Sequence, residues 1–187
     1  MTLGEGKRRV MMLLDEYSAG GEISADEDIG LKMADFFDMA QKDMANFKRI
    51  IRLSELTPAG SGGSMCSWLL PEDFSGAFRV WQDGRCVSGW AVVGDRLVTK
   101  RADAVTLEYF ALPSSLGPDT PDSYEFEVSE DAAACLPFFV AAQQLLPDLV
   151  VDYGGFYNTY LQMRSALDTS LPESGFGGVR QTLFGRR

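Results

Sequence analysis

The chain has 187 residues, 45% of them apolar, with 17 Lys and Arg against 27 Asp and Glu, a formal net charge of -10, and no histidine. That length suits one domain, or one domain carrying an inserted subdomain, and the apolar share is ample for a packed core. Without histidine the chain lacks the commonest general base, the usual partner of a Ser or Cys nucleophile and the commonest transition-metal ligand, so many ordinary hydrolase mechanisms are excluded.

A first amphipathic helix is expected over about residues 5–18, with Val10, Leu13, Leu14 and Tyr17 on its apolar side and Ala19-Gly20-Gly21 ending it. A second is expected from Ser24, which with Glu27 forms a capping-box pattern while Asp26 and Asp28 suit the positive helix terminus. Its stripe runs Ile29, Met33, Phe36, Phe37, Ala40, Met44, Phe47, Ile50, Ile51, with Lys48, Arg49 and Arg52 gathered at the far end. Thr57-Pro58 and the Gly60 to Ser64 run then break the pattern; the run lacks the GK[ST] ending of a phosphate loop and reads as a hairpin tip or linker.

Short alternating segments follow: 77–82, 89–93, 96–100 and 105–112, separated by Asp83-Gly84 and Gly94-Asp95 turn signals. They predict an antiparallel meander or small barrel with Trp68, Trp81, Trp90 and Tyr109 as its compact core. After the loop over 113–121, residues 124–128 read as a last strand. Ser129 is a cap for a third helix carrying Leu136, Phe139, Val140, Leu145 and Leu146, with Pro137 kinking it or marking its first turn. A fourth helix over 149–167 carries Tyr153, Phe156, Tyr157, Tyr160, Leu161 and Leu167.

The fold class expected is therefore α+β: about four helices forming a bundle, from residues 1–56 and 129–170, with a β-rich subdomain over 57–128 inserted and an extended arm over 171–187. The arm has no helix or strand period. Its glycines make it costly to order alone, so Phe176, Val179, Leu183 and Phe184, together with Arg180, Arg186 and Arg187, are the candidate interaction residues.

The negative charge is concentrated in residues 102–163, which hold ten acids and no Lys or Arg. Such a stretch repels a nucleic-acid backbone. Cys66, Cys86 and Cys135 lack CxxC spacing and read as reduced thiols, neither a disulfide framework nor a zinc site. The carboxylate pairs Asp26/Asp28, Asp35/Asp38 and Asp148/Asp152 read as helix-end and polar-face residues. No catalytic residue, cofactor or metal is expected. Neither a membrane span nor a signal peptide is expected, so the chain reads as cytosolic where it is made.

In order, several segments resemble the head-tail connector, or adaptor, proteins of tailed bacteriophages. They are the first helix ending in Asp15-Glu16-Tyr17, ISADEDIGLKMADFFDMAQKDMANFKRI (23–50), LPEDF (70–74), VTLEYFALP (105–113), LPFFVAAQQLL (136–146) and the terminal arm. The resemblance implies a non-enzymatic virion part of phage or prophage, present in the bacterial cytoplasm during assembly and then in the virion neck. It would form a homo-oligomeric ring, commonly twelve-fold in that family, between portal protein and tail proteins, through which DNA passes without specific binding. Two other readings stand beside it: a binding module with a pocket lined by Trp81, Trp90 and Tyr109, and an enzyme working with carboxylates alone.

Overall fold

The computed structural model describes residues 1–17, 27–57, 61–62, 65–100, 104–145 and 154–171. Within them the chain is α+β. Helix α1 (Leu3–Tyr17) and helix α2 (Glu27–Phe47) come first, then strands β1 (Ile50–Leu56), β2 (Ser61–Gly62), β3 (Met65–Leu69), β4 (Phe74–Gln82), β5 (Arg85–Cys86), β6 (Trp90–Val93), β7 (Arg96–Thr99) and β8 (Val105–Ala111), then helices α3 (Glu130–Ala133), α4 (Leu136–Leu145) and α5 (Gly154–Ser165).

The start of α1 is held on all sides. Thr2 N–H donates to Glu5 Oε2 (2.9 Å) and Glu5 N–H to Thr2 Oγ1 (3.2 Å), a reciprocal capping box. Leu3 N–H and Gly4 N–H donate to the carbonyls of Tyr124 and Asp122, at 2.8 and 2.9 Å, so the free amides of the first turn anchor the helix to the 122–124 segment. The cap expected at Ser24 lies outside the described residues. In α2, Met33, Phe37, Ala40 and Met44 are buried at three- and four-residue steps, as the pattern requires. Helix α4 packs against α1, α2 and α5, and its burial of Leu136, Phe139, Val140, Ala141 and Ala142 accounts for its nearly unbroken apolar sequence. Pro137 sits in its first turn, where a missing N–H costs nothing.

The strands form two four-stranded antiparallel sheets, ordered β1-β8-β4-β5 and β2-β3-β7-β6. Strand β8 alternates strictly, with Val105, Leu107, Tyr109 and Ala111 buried, and these pack with Leu56, Cys66, Trp68, Val80 and Leu97 into one core shared by both sheets. Two hairpins turn as their sequences demand. Asp83 and Gly84 both take positive φ (50° and 73°) between β4 and β5, and Gly94 (62°) does so between β6 and β7.

Three expectations are corrected. Helix α2 stops at Phe47, so Ile50 and Ile51 lie not on its apolar stripe but in β1, paired with Ala111 and Phe110. The β-branched pair gains a ladder along β8 there, and Ile50 packs against both cores. Residues 124–128 form no strand, only the bridge Thr2↔Glu125, because the Tyr124 carbonyl is taken by the α1 terminus and Phe126 and Val128 point into the helical core. Finally, the third helix is broken into α3 and α4, with Ala134 and Cys135 between them.

Candidate functional site

The arm residues Phe176, Val179, Arg180, Leu183, Phe184, Arg186 and Arg187 lie outside the described residues. So, wholly or in part, do the pairs Asp26/Asp28 and Asp148/Asp152. Asp35 is exposed, while Asp38 accepts Leu116 N–H (2.9 Å) and the Lys42 ammonium (2.7 Å), pinning the 114–116 loop to α2.

The densest polar cluster lies where the helices meet the first sheet. Arg52 on β1 donates to Asp73 Oδ2 (2.5 Å) and to Glu127. Asp73 also accepts the Tyr109 hydroxyl at 2.9 Å. Glu127 Oε1 accepts Tyr124 O–H (3.0 Å) and Ser114 N–H (3.1 Å). Below them Gln41 of α2, fully buried, accepts Glu127 N–H at 2.9 Å and donates to the Ser114 carbonyl (3.3 Å) and to Tyr124 Oη (3.2 Å). Burial, then the bond to Asp73, pushes the Tyr109 phenol up to about 12. Burial likewise takes Tyr124 to about 12. Burial works against the Glu127 charge, but hydrogen bonds from Ser114 and Tyr124 and the Arg52 charge outweigh it and hold the carboxyl low. With each member bonded to at least one other, this cluster acts as a clamp between helices and sheet. The sequence reading missed it. Its one signal was Gln41, an amide on the apolar stripe between Phe37 and Met44.

The lopsided charge also has a structural use. Lys7 pairs with Asp122 (2.8 Å), Lys48 with Asp131 (2.6 Å) and Arg52 with Glu127, so cations from the N-terminal third meet acids of the Lys- and Arg-free stretch. The hydrogen bond from Lys48 holds Asp131 down at about 2.

The aromatic trio of the β-region is split: Trp90 packs, partly buried, against the core that holds Tyr109. Tyr109 faces the shared core at 4% exposure, whereas Trp81 lies on the opposite face of the same sheet, its indole N–H donating to Glu108 Oε2 (3.2 Å) beside Arg79. Trp68, not Trp81, is the buried indole. Among the cysteines Cys66 and Cys135 are buried and Cys86 is exposed.

An apolar groove opens on the helical side. Arg9, Met12 and Leu13 of α1 and Ala134, Pro137 and Phe138 enclose about 260 Å³, and Met12 is 66% exposed at its mouth. Among the described residues no helix is long and apolar enough to cross a membrane. No family model matches the chain, and no curated protein matches it either.

Proposed function

We propose that this protein is a non-enzymatic assembly component of a tailed phage or prophage, a head-tail connector whose copies form a ring joining portal to tail. In this reading α1, α2, α4 and α5 are the bundle that builds the ring body, the two sheets are the inserted subdomain, and residues 171–187 are the arm that reaches a neighbouring copy or the portal. The chain works in the bacterial cytoplasm during assembly and ends in the virion neck.

The observation that carries the reading is the distribution of charge. Exposed Asp119, Glu125 and Glu130 belong to a stretch with no cation of its own, while Arg8 and Arg9 are exposed on α1 and the arm sequence carries Arg180, Arg186 and Arg187. Unlike surfaces on one chain favour contacts between copies. An acidic wall also lets DNA pass without adhering, since phosphate neutralisation by Lys and Arg dominates DNA affinity.

The test is the identity of the genes on either side. Portal, major capsid and tail genes in the adjoining frames are the expected result; a metabolic operon overturns the reading.

A further inference from the structure

Two surfaces of the helical side are unlike and complementary. The α1/α4 groove is apolar, and at about 260 Å³ it falls below the roughly 300–1,000 Å³ of small-molecule sites, a size suited to one or two protruding side chains. Its rim is cationic: Arg9 lines it, Arg8 is exposed beside it, and neither forms an ion pair with a described residue. The outer side of α5 carries Tyr157 and Leu161, 38% and 39% exposed and one helical turn apart, and exposed Asp168 follows just past the helix end. The inner side of α5 is engaged elsewhere, with Tyr160 edge-on to Phe139 of α4 at 5.2 Å.

We propose that the outer face of α5 docks into the α1/α4 groove of a second copy, Tyr157 and Leu161 entering beside Met12 and Phe138 while Asp168 meets Arg8 and Arg9. The inference rests on the ring reading and names its inter-subunit contact. Charge decides the occupant. Segment 174–187 of a neighbour also carries apolar anchors, but it would bring Arg180, Arg186 and Arg187 against Arg8 and Arg9. Because the contact joins unlike faces, it is head-to-tail and repeats until it closes.

The test is sedimentation velocity and native mass spectrometry of the full chain with Met12→Asp and Leu161→Asp, both exposed positions, each variant first shown to keep the parent thermal melt. The expected result is self-association of the unaltered chain, weakened about tenfold or more in either variant alone. An equimolar mixture of the two variants should form a one-to-one complex and nothing larger, since only one intact groove and one intact α5 face remain per pair. Arg9→Glu should weaken association, and Asp168→Arg in the same chain should restore part of it.

Absence of the mixed complex while the unaltered chain associates overturns the inference and leaves the ring reading in place. Loss of association on removing 174–187, with both variants still associating, overturns it in favour of the arm. A chain that stays monomeric at millimolar concentration also overturns it, while the neighbouring genes judge the connector reading separately.

Discussion

Gln41 shows how much one side chain can hold. It is fully buried and satisfies an amide and a phenol of the 124–128 segment and a carbonyl of the 114–116 loop. Gln41→Leu keeps the volume but leaves the Glu127 amide and the Ser114 carbonyl without this partner, and should cost about 2–4 kcal/mol in urea unfolding. Arg52 is more exposed, at 38%, so solvent screens its two ion pairs, and Arg52→Met should cost only about 1–2 kcal/mol by the same measurement. Asp131 sets an acid limit. Its folded-state value of about 2 lies below the ordinary carboxylate value, so its contribution is present above roughly pH 4 and is lost as the pH falls toward 2. Lys48→Met removes the largest cause of that shift, and unfolding curves between pH 5 and pH 2 should then show a shallower loss of stability than the parent. The phenols act in the opposite direction. Tyr109 and Tyr124 are raised to about 12, so stability that depends on their protonated forms is present below pH 10 and is lost as the pH climbs toward 12. Absorbance titration should show the Tyr109 and Tyr124 phenols ionising only together with unfolding.

At the level of elements, α1 lies close to its neighbours because of Gly6. A Cβ there would stand 2.9 Å from Phe37 Cζ on α2 and 3.3 Å from Phe126. Gly6→Ala gains helix propensity of about 1 kcal/mol but drives that ring out of the core, and a net loss of about 1–2 kcal/mol is expected by thermal melting. Elements with a strong local signal were legible in the sequence: the α2 stripe through Met44, the strictly alternating β8, and both glycine hairpins. What was not legible depended on partners distant along the chain. Ile50 and Ile51 continue the helical period of α2 without a break, and only the ladder to Phe110 and Ala111 makes them strand. Residues 124–128 alternate like a strand, yet their backbone serves the α1 terminus. Of the candidate site, the arm residues expected from composition and lack of period lie outside the described residues. The clamp could not be read from the sequence, because Arg52, Asp73, Tyr109 and Glu127 come from strands and loops as many as 75 residues apart and meet only once both cores have formed. The groove on α1 was hidden for a similar reason, since Met12 reads as one more apolar residue until α4 is placed beside it.

The chain as a whole is acidic, with a formal net charge of -10. Lys7, Lys48 and Arg52 each pair with an acid of the Lys- and Arg-free stretch, and the α1/α4 groove offers apolar and cationic features to another chain. This arrangement supports a part that works by joining. Residues 174–187 have no helix or strand period and lie at a chain terminus, so their removal should leave the thermal melt within about 1 kcal/mol of the parent. Electron microscopy of lysates with this gene deleted and then resupplied tests the proposed connector role. Filled heads and free tails in place of joined particles are expected, with joining restored by the full chain and not by the folded chain lacking 174–187. Joined, infectious particles in the complete absence of the gene would contradict it.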